Sequence, residues 1–221
     1  MLLALPLLLA GYLFGSIPAG YLAGRWLKGI DIRQEGSGST GATNVLRVLG
    51  KGPALAVFLV DVLKGTAAVL LAKAVLEPLG VPLDAGGTAT SWVVDSWVVA
   101  AGLAALAGHI WPVWLGWRGG KAVATALGML LGLTWPVGLA CFGVFLAALS
   151  LSRIVSLSSV IAALALPLLM LGWFHDQALG LRWPYLALTV LTSGLVIWRH
   201  RSNLARLLAG TEPRLGQKRA S

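Results

Sequence analysis

Seven apolar runs, all but the adjoining fourth and fifth separated by glycine, proline or basic residues, leave few folds open to this chain. They lie at about Leu2 to Ala23, Pro53 to Leu76, Trp92 to Gly108, Val123 to Thr134, Trp135 to Leu151, Val155 to Phe174 and Trp183 to Trp198. A helix needs ~20 apolar residues to cross the hydrocarbon of a bilayer. Only 11% of the 221 residues are charged, whereas a soluble domain carries ~25%. The pattern predicts an all-α polytopic membrane helix bundle with seven transmembrane helices. It forms one domain over residues 1–208, followed by a polar tail at 209–221 that is expected to fray. The fourth run is short, so it is either tilted or a broken piece that begins deep in the membrane. The first run lacks a basic leader and a clean cleavage site, which favours a retained helix over a signal peptide.

Charge sets the orientation. Of the 17 Lys and Arg, all but Lys73 and Arg182 fall on one side of these runs. The positive-inside rule then puts the N-terminus outside and the C-terminus in the cytoplasm. A formal net charge of +9 would suggest nucleic acid in a soluble protein. Here the cations flank apolar spans, so membrane lipids and an anionic substrate are the expected partners, and nucleic acid is not. The single cysteine, Cys141, sits in an apolar run and reads as packing. The three histidines are far apart and no Cys pair exists, so no metal or other cofactor is expected.

Two polar segments stand out on the basic side. In the first, Gly36, Gly38 and Gly41 permit sharp turns and close backbone approach, and Ser37, Ser39, Thr40 and Thr43 offer hydroxyls. Asn44 and Arg47 are three apart and share a face if a helix follows. This composition suits an anion nest, although a glycine–serine connector between two helices has a similar look. The second segment, Gly119-Gly120-Lys121, precedes the short fourth run. Free N–H groups and the positive helix end there, with the Lys121 ammonium, would attract phosphate. The spacing is not that of a Walker A loop.

The same face gathers further polar residues. Ser156 opens the sixth run, where it either caps a helix or donates to a ligand. His200 and Asn203 share a helical face after the seventh, whereas Arg199 and Arg201 read as a lipid-facing basic helix end. Asp61 and Lys64, three apart inside the second run, suggest a structural ion pair, since lone charges in a span are costly. His109, before an aromatic turn, reads as structural.

In this order the motifs resemble the acyl-phosphate-dependent glycerol-3-phosphate acyltransferases of bacterial membranes, the PlsY family. The supporting residues are Gly36-Ser37-Gly38, Gly41-Ala42-Thr43-Asn44 with Arg47, Asp61-Val62-Leu63-Lys64-Gly65, Gly108-His109 with Pro112, Gly119-Gly120-Lys121, Val155-Ser156-Leu157 and Arg199-His200-Arg201 with Asn203. Two positions depart from the family pattern. Ala122 stands where members usually carry glycine, and Ser39 where asparagine is common. Both suggest altered loop detail and retained activity.

The resemblance implies transfer of a fatty acyl group from acyl phosphate to the 1-hydroxyl of sn-glycerol 3-phosphate, without cofactor, on the cytoplasmic side of the bacterial inner membrane. The products are lysophosphatidic acid and phosphate, in the first step of phospholipid synthesis. It implies catalytic roles for Ser37, Arg47, Lys121, Ser156, His200 and Asn203. Gly36, Gly38, Ser39, Gly41, Thr43, Asn44, Gly119 and Gly120 would form phosphate loops, with Asp61, Lys64 and His109 in support of them. A monomer is expected. The H-x-x-x-x-D motif of another acyltransferase class is missing, because Trp114, Gly180 and Ala205 stand five residues after the three histidines. A small organic-anion transporter would also use cationic, glycine-rich segments, but with its polar groups at mid-membrane and in repeats. A purely structural membrane subunit leaves Asn44, Arg47 and the two loops without a purpose.

Overall fold

The computed structural model describes residues 4–78, 91–180 and 182–217. Among them are nine α-helices and no strand. They are α1 (Ala4–Ser16), α2 (Ala19–Lys28), α3 (Ala42–Leu49), α4 (Lys51–Leu76), α5 (Ser91–Ile110), α6 (Val123–Ser152), α7 (Val155–Phe174), α8 (Trp183–Arg199) and α9 (Arg201–Leu208). Five stretches of the described residues are long and apolar enough to cross a membrane: Ala4–Lys28, Lys51–Leu76, Trp92–Leu115, Val123–Ser152 and Val155–Gln177. The last expected span, α8, has 17 residues and falls just short by length.

Two boundaries differ from the sequence expectation. The first expected span begins at Leu2, outside the described residues, and is divided at Ile17-Pro18 into α1 and α2. Proline has no N–H to continue the helix there. The fourth and fifth expected spans are two arms of α6, which breaks at Thr134 (φ −147°, ψ 86°). A Cβ on Gly138 would lie 3.1 Å from the Leu131 nitrogen. Seven residues of unbroken helix separate such atoms by ~10 Å, so the arms double back on each other. Pro136 falls in the first turn of the second arm, where its missing N–H costs nothing.

Small residues bring the helices close. A Cβ on Gly128 would lie 1.8 Å from the Val62 carbonyl oxygen, so only glycine lets α4 and the first arm of α6 approach so nearly. Thr66 ties them with a 2.8 Å hydrogen bond to the Gly128 carbonyl. Lys73 Nζ donates to the carbonyls of Gly132 and Leu133 at 2.9 and 3.0 Å, satisfying the end of the first arm. The two segments therefore run parallel. The first arm (123–133) rises ~16 Å and the second (135–152) ~27 Å. Residue 123 thus begins ~11 Å short of the level at which the second arm ends.

Candidate anion site beneath the helix ends

The first polar segment folds into a tight loop closed by α3. Asn44 is its pin: the amide donates to the carbonyls of Ile32, Glu35 and Ser39, and its Oδ1 accepts the Ser37 N–H at 2.8 Å. Most of the hydrogen-bonding capacity of this buried side chain goes to holding the loop, a structural role beside the expected one. Gly36 and Gly38 sit in left-handed conformation (φ +59° and +70°) and shape the turn without lining the cavity. A Cβ on Gly36 would strike the Asn44 Oδ1. Ser37, Ser39, Gly41, Thr43, Asn44 and Arg47 line the cavity.

The second segment corrects an expectation. Neither Gly119 nor Gly120 reaches the cavity. Their N–H groups donate to the carbonyls of Ile110 and His109, each at 3.1 Å. A Cβ on Gly120 would lie 2.1 Å from His109 Nε2, so the loop rests directly on the imidazole ring. Arg199 is not lipid-facing as expected, because its guanidinium donates to the carbonyls of Gly119 and Gly120. The N–H groups of both glycines are thus engaged in holding the loop that carries Lys121. Ala122 takes the left-handed conformation (φ 61°) that glycine adopts with least strain, at the position where the resembled family usually has glycine.

Beneath the loop, Lys64 Nζ meets Asp61 Oδ1 at 2.7 Å, and His109 Nδ1 lies 3.5 Å from the same oxygen. Lys64 also donates to the Ile17 carbonyl at the break between α1 and α2. All three side chains are buried. Asp61 and His109 reach the cavity wall, and Lys64 lies behind it.

The cavity, about 140 Å³, gathers all six residues expected to be catalytic: Ser37, Arg47, Lys121, Ser156, His200 and Asn203. They come from four separated segments of the chain. Lys121 Nζ donates to the Asn203 side-chain oxygen. Burial pushes the Lys121 ammonium down to about 8; the Glu212 carboxylate opposes this and Arg206, Arg199 and Arg47 add to it. Burial likewise takes His200 down to about 4, against its hydrogen bond to Val196 and with repulsion from Lys121. At neutral pH the ring is therefore uncharged. A carbonyl only accepts, so the 2.8 Å contact with the Val196 oxygen places the ring proton on Nδ1 and leaves Nε2 as an acceptor.

One residue escaped the sequence reading. Glu212 lies in the segment expected to fray, yet it is buried in the cavity wall. Its carboxylate accepts from Ser156 Oγ (2.7 Å), Asn203 Nδ2 (2.6 Å) and Arg206 Nε (2.8 Å). Burial opposes ionisation, but these three hydrogen bonds outweigh it and hold the carboxyl below its ordinary range. The Leu215 N–H also donates to the Arg153 carbonyl at 2.7 Å. The expected loose tail is thus anchored as far as Leu215; residues 218–221 lie outside the described residues. The available signal was a lone acid in a basic tail, directly after the last helix.

A sequence model described as glycerol-3-phosphate acyltransferase matches residues 5–210. The chain belongs to the glycerol-3-phosphate acyltransferase family. Within this family it is 65% identical to the glycerol-3-phosphate acyltransferase of Synechococcus sp. (strain CC9902), over 99% of this chain and 98% of the relative. It is 66% identical to that of Prochlorococcus marinus (strain MIT 9313), over 95% and 94%. Two crystal structures of PlsY, an integral membrane glycerol 3-phosphate acyltransferase, share the fold at 37% identity. The glycerol 3-phosphate form has a TM-score of 0.81 over 96% of both chains. The lysophosphatidic acid form has a TM-score of 0.79 over 96% of this chain and 95% of the other. The all-helical, multi-pass architecture and the PlsY type expected from the motifs are both met.

Proposed function

We propose that the protein transfers a fatty acyl group from acyl phosphate to the 1-hydroxyl of sn-glycerol 3-phosphate, directly and without an acyl-enzyme. The observation that carries this reading is the convergence of Ser37, Arg47, Lys121, Ser156, His200 and Asn203 on one cavity. It suits two phosphate groups whose mutual repulsion must be neutralised before their carriers can react. Ser37 and the first turn of α3 would hold one phosphate, with Arg47 and Lys121 countering the charge. Ser156 and Asn203 already orient polar groups toward the same space.

An acyl phosphate is an activated mixed anhydride. The glycerol hydroxyl oxygen attacks the acyl carbon, the bond from that carbon to the phosphate oxygen breaks, and the hydroxyl proton passes to the departing phosphate. His200 Nε2 can accept a hydrogen bond from the hydroxyl and orient it. Its depressed basicity makes it a poorer proton acceptor than a phosphate oxygen, so the substrate serves as base.

The chain would cross the inner membrane seven times, N-terminus outside and C-terminus cytoplasmic, and act as a monomer without cofactor. The basic residues on one side support this orientation, and the arms of the doubled-back α6 would supply two of the crossings. The deep start of the first arm sets Lys121 below the cytoplasmic edge, within reach of a lipid-borne donor. The deciding assay offers purified protein palmitoyl phosphate or palmitoyl-CoA, with glycerol 3-phosphate as acceptor. Lysophosphatidic acid is expected from the acyl phosphate alone; product from the thioester alone overturns the proposal.

Lys121 also predicts a pH dependence. A phosphate monoester has its second pKa near ~6, and the bare ammonium titrates at about 8. Glycerol 3-phosphate should bind best between these values and weaken as pH rises through 8, with proton uptake on binding above it. The empty protein should behave oppositely. Its unfolded state holds the Lys121 proton up to the ordinary lysine value, so stability rises with pH above 8. Calorimetric titration and thermal unfolding across pH 6–10 check both signs.

A further inference from the structure

An apolar groove leads away from the anion cavity, and the two share Phe58, Val123, Ala124, Phe145 and Ser159. Its walls are the two arms of α6, α7 and α8, with Phe58 of α4. From Val123 to Leu130 on the first arm, and from Ser159 to Leu166 on α7, the groove descends ~10 Å. Phe58 and Phe145 stand at its mouth, and between mouth and inner end the walls are small, at Ala126, Ala162 and Ala163. Leu130 and Leu166, each 2% exposed and themselves part of the packed core, are the last residues of the first arm of α6 and of α7 to line it. Beyond them Leu133, Met170 and Leu188 belong to the packed core. The groove has a floor.

We infer that Leu130 and Leu166 set the acyl-chain-length preference of the donor. This rests on the acyl-phosphate reading above, with the acyl chain as the groove's occupant because the groove opens from the cavity that would hold the chain's phosphate. A chain arriving from lipid leaves surroundings as apolar as the groove itself, so burial alone distinguishes one length from another only weakly. Shape must do so. One leaflet offers half of a ~30 Å hydrocarbon core, so the ~10 Å groove is shorter than a long fatty chain. Such a chain must bend at the floor, while a shorter one fits straight.

The floor can be moved both ways. Leu166→Ala lowers it by up to one helical turn, ~5 Å, and Leu166→Phe raises it. The readout is the ratio of kcat/KM for palmitoyl phosphate to that for decanoyl phosphate, with KM for glycerol 3-phosphate as the control for an intact anion site. Leu166→Ala should raise the ratio about threefold or more, Leu130→Ala should do the same, and Leu166→Phe should lower it by about fivefold. Ratios within twofold of the parent in all three, or changes of one sign for both Leu166 variants, overturn the inference. If any variant fails to accumulate folded, the remaining ones still decide it. Failure of the parent to use either acyl phosphate would instead remove the underlying reading.

Discussion

Replacing Lys121 with alanine is expected to lower kcat/KM for acyl transfer at least tenfold. Lys121 is the cation that the Gly119-Gly120 turn delivers to the cavity, and its ammonium loses solvent to get there. A hydrogen bond to a charged group contributes ~1.5–3 kcal/mol, and ~1.4 kcal/mol is a factor of ten in rate. Arg47→Ala, across the cavity in α3, should have an effect of similar size. Lys28→Ala serves as the control, because exposed Lys28 donates to the Val48 carbonyl and is not among the described residues that line the cavity. Steady-state kinetics with both substrates varied separate binding from turnover. An efficiency within twofold of the parent for Lys121→Ala would remove Lys121 from the machinery.

How much of this was legible beforehand follows from the range of the interactions. The membrane bundle follows from local hydropathy, which also puts the boundary between the fourth and fifth runs at Thr134 and Trp135. The convergence of four segments followed from counting cations by side, because charge placement reflects the membrane and not the packing. What stayed hidden is all long-range. Asn44 reads as part of a phosphate loop and does line the cavity, but nothing local announces that its amide also closes the turn onto Ile32, Glu35 and Ser39. Gly119 and Gly120 carry the composition of a phosphate loop, yet their N–H groups are taken by the chain of α5. Glu212 sat in a stretch of tail composition, and only its contacts with Ser156 and Asn203 bring it into the site.

Removing the Asp61 carboxylate should have the largest effect on stability. Asp61 and Lys64 have side chains 3% exposed and lie in the middle of an apolar helix. Asp61→Ala leaves the Lys64 ammonium facing only the Ile17 carbonyl. A buried charge stripped of its partner costs ~3–5 kcal/mol. In a chain of this size that lowers Tm by on the order of 10 °C. The double variant Asp61→Leu with Lys64→Met removes both charges at nearly constant volume and should recover most of the loss, because the attraction between buried ions is largely offset by their dehydration. Thermal unfolding in detergent decides the point: equal loss in the single and double variants would mean that the ion pair itself stabilises the bundle. Activity should not follow stability. The double variant also takes away the oxygen beside His109 Nδ1 on which that ring is set, and Gly120 rests on the ring. A stable double variant with reduced turnover is therefore expected, in which the shift of Lys121 registers in kcat while the fold persists.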